Sequence, residues 1–176
     1  MEDKFNIDKL TTKDFNRILK FGKAKNTIGK YESKKFIELP YGIVKRELPL
    51  LQKEARFQEM VLTVLKCQFE DVNLNAVSGN DYMAFLLWIK SQLEFIFAIE
   101  LNYLSTDPDP KMVAAGLHKL NELGELPVLD QLAQGDILKY DLIEALPYFK
   151  VYEKLKLDKI TGEISKSYEE IIKNSN

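Results

Sequence analysis

The fold is decided by residues 81–104, DYMAFLLWIKSQLEFIFAIELNYL. Apolar side chains fill nearly every position, so a helix here would have almost no polar face and belongs in a protein core or in a membrane. At about 1.5 Å per residue it would be roughly 36 Å long, enough to cross a small domain. Lys90, Gln92, Glu94 and Glu100 interrupt the run. Because each charge at bilayer depth costs about 2.5–3.5 kcal/mol, the sequence favours a buried helix of a soluble protein, with no membrane partner.

Length and composition indicate one globular domain spanning residues 1–176. The chain is 45% hydrophobic and 30% charged, which is typical of soluble proteins with an ordinary core. Its charges are unevenly distributed. Residues 1–56 carry 14 Lys and Arg against 8 Asp and Glu, and the remainder carries 11 against 19. The chain is therefore basic at one end and acidic over the rest.

Two features place the chain in a reducing environment. Residues 1–13 alternate charged and apolar positions without the continuous apolar segment of a signal peptide. Cys67 is the single cysteine and follows an apolar run, so we expect a buried, unreactive thiol and no internal disulfide.

Proline, glycine and capping residues divide the chain into short helices around the long one. Thr11 or Thr12 can cap a first helix that ends at Gly22, and Ser78 or Asn80 can cap the central helix. The helices predicted between and after these cover residues 41–49 with a kink at Pro49, then 50–68, 110–123, 128–133, 137–146 and 148–157. Residues 159–176 are predicted to be a last helix or a tail.

The prediction for residues 23–38 stays open between two structures. Turn residues and short apolar alternation there fit either a small β-hairpin or an extended, protruding loop or arm. The predicted fold class is accordingly all-α, with short helices packed around one long central helix and this one exception.

Leu-Pro-Tyr occurs twice, at residues 39–41 and 146–148, each time with Val three residues after the Tyr and Leu residues beyond. Proline at the first helical position favours a helix start. One interpretation is independent use of a good helix opening. The other is that the two segments begin pseudo-equivalent helical units on either side of the central helix.

The sequence has no recognisable catalytic, cofactor or metal motif. One His and one Cys cannot supply a zinc site, and Asp107 and Asp109, beside prolines, are typical of a turn and helix cap. His118 with Glu122 four residues on is interpreted as a surface pair. The alternative, a general base held by that carboxylate, would make the protein a small hydrolase.

A basic segment from Lys13 to Arg46 is the main surface feature, with ten Lys and Arg against three acidic residues. Such a segment is either an ordinary solvated face, a contact with an acidic protein surface, including that of a neighbouring copy, or a non-specific contact with DNA. The candidate interaction residues in and next to it are Lys20, Lys23, Lys25, Lys30, Tyr31, Lys34, Lys35 and Tyr41. A second candidate group is Tyr148, Phe149 and Tyr152, which we expect to be exposed together with Tyr41.

Residues 88–157 contain DPDPKMVAAGL at 107–117, LNELG at 120–124, LDQLAQGDILKY at 129–140 and LPY at 146–148. With this pattern the chain resembles small, mostly helical proteins encoded among the morphogenesis genes of tailed phages of Bacteroidetes hosts, including crAss-like phages. The resemblance covers about 40% of the chain and supplies no functional residue.

The resemblance implies a non-enzymatic virion protein, assembled in the bacterial cytoplasm, that serves as a head-to-tail connector subunit in the neck or a tail ring. Its expected partners are copies of itself in a ring-like homo-oligomer and other phage neck or tail proteins. The alternative is a tail-assembly chaperone that binds another tail protein through exposed apolar residues.

Overall fold

The computed structural model describes residues 23–175 and shows a mostly helical fold around one long helix, which confirms the predicted fold class. Its strands are β1 (Thr27–Ile28) and β2 (Tyr31–Glu32). Its α-helices are α1 (Leu48–Lys53), α2 (Phe57–Lys66), α3 (Gly79–Tyr103), α4 (Pro110–Ala114), α5 (Leu126–Ala133), α6 (Tyr140–Glu144) and α7 (Tyr148–Asn174). Residues Phe36–Glu38, Leu117–Leu123 and Ile137–Lys139 form 3₁₀-helices, and Ile43–Glu47 forms a π-helix. The helix predicted before Gly22 lies outside the described residues.

The central helix α3 begins where the sequence predicts. The Ser78 hydroxyl accepts a hydrogen bond from the Asp81 amide at 3.1 Å, which satisfies one of the free N–H groups of the first turn. Residues 82–87 and Ile89 are buried. Since each large apolar side chain contributes about 1.5–3 kcal/mol on burial, this half of α3 anchors the core, which extends from Ile28 to Val151.

The prediction that the whole of α3 is buried is wrong for its C-terminal half. Phe95, Phe97, Leu101 and Tyr103 are 54–66% exposed. β1 and α2 pack against α3, and the buried positions lie almost entirely before Lys90. By length and composition alone α3 could cross a membrane, but its N-terminal half is the core of the fold.

The segment 23–38 forms a hairpin and packs against the core. β1 and β2 pair antiparallel through a turn at Gly29 and Lys30, and Gly29 has a φ of 55°. Ile28 and Tyr31 are buried, and the Lys25 amide donates to the Ala84 carbonyl of α3 at 3.0 Å. The hairpin alternative is therefore confirmed, and this segment is not a protruding arm.

Two predicted helices are interrupted. The segment 50–68 divides into α1 and α2 because Ala55 takes a left-handed conformation with φ 57°. The segment 110–123 begins as predicted, with the Asp109 carboxylate accepting from the Lys111 amide at 2.7 Å, but becomes a 3₁₀-helix after Gly116, whose φ is 101°. Both breaks shorten the helices and turn the chain more often than periodicity indicates.

Two other predictions change at helix ends and joins. Pro49 has no N–H to offer the carbonyl four residues before it, and the preceding turn adopts the wider π-helix, in which the Leu48 amide bonds the Ile43 carbonyl. The predicted helix 148–157 and the C-terminal segment form one continuous helix, α7, which passes through Gly162 without a break.

We predict that Gly29→Ala destabilises the fold by about 2 kcal/mol, because a left-handed alanine costs about 1–2 kcal/mol and its Cβ would lie 3.1 Å from Val77 Cγ2. Gly135→Ala is the matched control, since Gly135 has a φ of 77° with nothing within 4 Å of a Cβ. The free energy of unfolding in urea measures both. If both variants lose the same free energy of unfolding, the contact between the residue 29 Cβ and Val77 adds no destabilisation.

Candidate functional site

The two Leu-Pro-Tyr segments bind each other directly. The Tyr41 amide donates to the Leu146 carbonyl at 2.7 Å, and the Tyr148 amide donates to the Leu39 carbonyl at 2.9 Å. Pro40 and Pro147 lie opposite each other in an antiparallel bridge. Because proline has no N–H, the bond in each segment comes from the following tyrosine. The repeated motif thus forms a nearly symmetric pair, a juxtaposition that neither sequence interpretation contained.

Beneath this pair lies a group of five side chains that we call the polar cluster: Tyr41, Lys45, Glu100, Glu125 and Tyr148. The Tyr41 hydroxyl donates to Glu125, and the Tyr148 hydroxyl donates to Glu100 at 2.9 Å. The Lys45 ammonium forms an ion pair with Glu100 and lies 3.6 Å from Glu125 Oε2. The cluster therefore links the π-helix, α3, α7 and the residue preceding α5.

Burial, reinforced by the neighbouring glutamates, raises the pKa of Tyr41 and of Tyr148 far above that of a free tyrosine. Both hydroxyls therefore stay protonated near neutral pH and donate to a carboxylate. Both carboxylates share the Lys45 ammonium, so one cation faces two acidic groups. The arrangement suits the holding together of distant segments, and neither tyrosine can act as a base near neutral pH.

A groove of about 610 Å³ opens beside the cluster, between α3, α5 and α7. Lys45, Glu100 and Glu125 line one part of it, and Phe97 and Leu101 from the exposed half of α3 line another. This volume is in the range of ligand pockets and could equally receive side chains of another protein.

Three of the tyrosines and phenylalanines proposed as interaction residues are buried. Tyr41 and Tyr148 are 0% and 1% exposed, so the expectation that they lie on the surface is wrong. Tyr31 is also buried, and its hydroxyl donates to the Asp71 carbonyl and accepts from the Asn73 amide. Phe149 and Tyr152 are half-buried. Tyr41 and Tyr148, the two tyrosines that follow proline, therefore serve packing of the core.

The basic segment divides into an exposed part and a part that pairs within the chain. Lys45 faces the polar cluster, and Arg46 forms an ion pair with Glu144. Attraction between the basic and acidic halves thus operates inside one chain. The proposed lysines that remain exposed are Lys23, Lys25, Lys30, Lys34 and Lys35. Lys20 lies outside the described residues.

Cys67 and His118 also differ from expectation. Cys67 is exposed at the end of α2 and not buried, although partial burial of its thiol raises its pKa above the ordinary value. His118 lies exposed on a 3₁₀-helix. In that geometry residues three apart share a face, and among the described residues no ion pair joins His118 to Glu122.

Sequence reasoning missed Glu125 and the joint role of Glu100 and Lys45. Glu100 offered a signal, since a carboxylate within an apolar helix requires a partner.

Residues 23–175 contain no group of three or more His, Cys, Asp or Glu side chains placed to hold a metal ion. Comparisons with protein-family models, curated proteins and solved structures found no match to this chain.

We predict that Tyr41→Phe lowers the free energy of unfolding by about 1–3 kcal/mol, because it leaves a largely buried Glu125 oxygen without its donor. Tyr140→Phe is the matched control. Tyr140 donates to Asp130 in the same chemical pairing but at an exposed position, so its loss should stay within about 0.5 kcal/mol. Urea unfolding at pH 7 compares them, and a control loss as large as that of Tyr41→Phe would contradict a structural role for the cluster.

The raised pKa values of Tyr41 and Tyr148 also predict a loss of stability in alkali. In the unfolded chain both ionise near pH 10, whereas in the folded chain they stay protonated, so their contribution is complete below pH 10 and declines above it. Stability should fall by about 1.4 kcal/mol per tyrosine and pH unit. Urea midpoints between pH 8 and 11 test this. The Tyr41→Phe/Tyr148→Phe variant should show a shallower decline than the parent, and parallel curves would refute the assignment.

Proposed function

We propose that this chain is a non-enzymatic structural protein of a tailed bacteriophage, a head-to-tail connector subunit that acts through contacts with copies of itself and with other neck or tail proteins. The observation that supports this role is the apolar surface that residues 23–175 leave exposed. The phage setting rests on the resemblance of residues 88–157, and the proposed location is the virion, after assembly in the host cytoplasm.

The first exposed apolar region is the C-terminal half of α3. Phe97 is 66% exposed and Leu101 is 56% exposed, although both lie on α3, whose other half forms the core. Monomeric proteins rarely expose large contiguous apolar patches, and such patches commonly mark protein-binding sites. This half of α3 borders the groove, and an incoming protein could bury both.

The second exposed apolar region lies around α6 and is called the α6 patch: Ile137, Leu138 and Leu142. These side chains are 71%, 83% and 70% exposed. Leu138 and Leu142 are four residues apart, on neighbouring turns. In a monomeric domain, polar residues at these positions would give higher solubility. We therefore assign the α6 patch to an interface between subunits.

The exposed lysines provide a further surface of different chemistry. Lys23, Lys25, Lys30, Lys34 and Lys35 lie on or beside the hairpin. In a connector subunit this surface would meet an acidic neighbour or pass close to DNA without reading its sequence. Sensitivity of assembly or DNA binding to salt would reveal either contact.

A tail-assembly chaperone is the alternative, and the open groove beside Phe97 and Leu101 favours it. A chaperone needs an accessible apolar site that another protein occupies only for a time. The hydrolase alternative is not proposed, because it depended on Glu122 holding His118, and the 3₁₀-helix separates their faces.

We predict that the purified chain forms assemblies larger than a monomer, and that Leu138→Glu reduces their mass by placing a charge in the α6 patch. Leu50→Glu is the control, because Leu50 is 52% exposed but lies on α1, outside the patch. Mass photometry and sedimentation velocity give the assembly mass. A parent chain that stays monomeric at high concentration and low salt would count against the connector.

Particle composition then separates the connector from the chaperone. Mass spectrometry of purified virions should detect this chain at a ratio to the major capsid protein that is constant between preparations if it is a connector subunit. Presence in infected-cell lysate and absence from virions would support the chaperone instead.

A further inference from the structure

The last helix carries an apolar stripe that no other described part of the chain covers. The stripe consists of five residues on α7: Leu157, Ile160, Ile164, Tyr168 and Ile171. They are 43–64% exposed, and every residue from 160 to 175 is exposed. At 100° per residue all five lie within about 40° of Ile164 around the helix.

The opposite side of α7 faces the rest of the chain. The Lys159 ammonium donates to the Tyr103 carbonyl at 3.1 Å and to the Ser105 carbonyl at 3.0 Å, which ties α7 to the end of α3. Gly162 and Lys166 line the groove next to that contact. These three residues lie roughly 140–160° around the helix from Ile164, so the stripe points away from the fold.

Because residues 23–159 leave this stripe uncovered, we infer a partner that lies outside them. Most helical stability in proteins comes from tertiary packing of an apolar face, and residues 160–174 of α7 receive little packing from residues 23–159. A helix with a uniformly polar surface could project into solvent, but five large apolar side chains on one face cost solubility unless something covers them.

The spacing of the stripe identifies that partner. Its members follow one another at intervals of three, four, four and three residues, a series that reads the same in both directions. We propose that α7 pairs antiparallel with α7 of a second copy of this chain, about a two-fold axis at Ile164. Each layer then joins two apolar residues: Leu157 with Ile171 of the other copy, Ile160 with Tyr168, and Ile164 with itself.

The residues beside the stripe fit the same axis. Thr161 and Ser167 flank it, three residues on either side of Ile164 and on opposite edges, and both are small and uncharged. Lys156 and Glu170 lie about 80° and 120° around the helix from Ile164, on one edge, and an antiparallel pair brings Lys156 of one copy to within about 3 Å of the height of Glu170 on the other. Within its own chain the Lys156 ammonium lies 5.3 Å from the centre of the Tyr103 ring, so this charge contact is at the margin of the interface. Glu163 of one copy approaches Glu163 of the other near the two-fold axis. Their repulsion partly offsets the attraction between Lys156 and Glu170.

The area suffices for a stable contact. From their exposed fractions, the five residues and the adjacent Ile172 would remove roughly 600 Å² of surface per copy from water, which for two copies reaches the lower limit of about 1,200 Å² for specific interfaces. This inference does not depend on the phage role, since it uses only residues of α7, and the α6 patch is a separate surface.

Cysteine cross-linking in a Cys67→Ser background tests the geometry. Ile164→Cys should form a disulfide-linked dimer under mild oxidation, because only position 164 of the stripe lies opposite itself. Ile160→Cys alone should not, since the two copies of residue 160 would be about 12 Å apart along the axis, but a mixture of Ile160→Cys and Tyr168→Cys chains should cross-link. Lys166→Cys, on the groove side, is the negative control.

Sedimentation equilibrium measures the affinity of the dimer. Ile164→Asp should raise the dimer Kd at least 100-fold, whereas Lys166→Asp should change it less than threefold, and circular dichroism confirms that both variants remain helical. Self-linking at positions 160, 164 and 168 alike would indicate a parallel pair and overturn the proposal. A parent chain without a dimer contact through α7, whether monomeric or assembled only through Leu138, would also overturn it.

Discussion

The structure depends on the antiparallel contact between two Leu-Pro-Tyr segments that are 107 residues apart in the chain. Two backbone hydrogen bonds join them, and the two tyrosines extend from that contact to glutamates on other elements. Closing so long a loop is entropically costly, and two hydrogen bonds alone contribute only about 1–3 kcal/mol. Burial of both tyrosine rings and pairing of Lys45 with the glutamates add to this, so the polar cluster and the apolar core stabilise the same contact.

The local elements could be predicted from the sequence because their signals are local. Ser78 and the Asp109-Pro110 pair mark helix starts by capping chemistry, and the structure confirms both. The helix breaks at Ala55 and Gly116 were not predicted. Gly116 did carry a local signal, since glycine in the left-handed conformation commonly ends a helix, whereas alanine at position 55 carries none. The apolar residues all round α3 indicated burial, but a helix's own sequence does not show how much protein surrounds it. Residues 23–175 bury only its first half.

The polar cluster shows the same limit at longer range. Tyr41 and Glu125 are 84 residues apart, and Glu100 and Tyr148 are 48 apart, so no periodicity connects them. Tyr41 and Tyr148 were expected on an interaction surface, whereas in the structure both rings fill the core. Exposed lysines were easier to predict, because a run of like charge is rarely buried. The apolar surfaces assigned to the proposed contacts could be identified only from the structure, where residues 23–175 leave them exposed.

Lys159 has a consequence for how this chain can vary. It secures α7 to the last carbonyls of α3, and the Tyr148 amide secures the start of the same helix. The number of residues between these two attachments determines which way the side chains of the rest of α7 face. Adding or deleting one residue there would turn the distal part of α7 by about 100° and advance it by about 1.5 Å, so substitutions can accumulate in this segment while its length stays constrained.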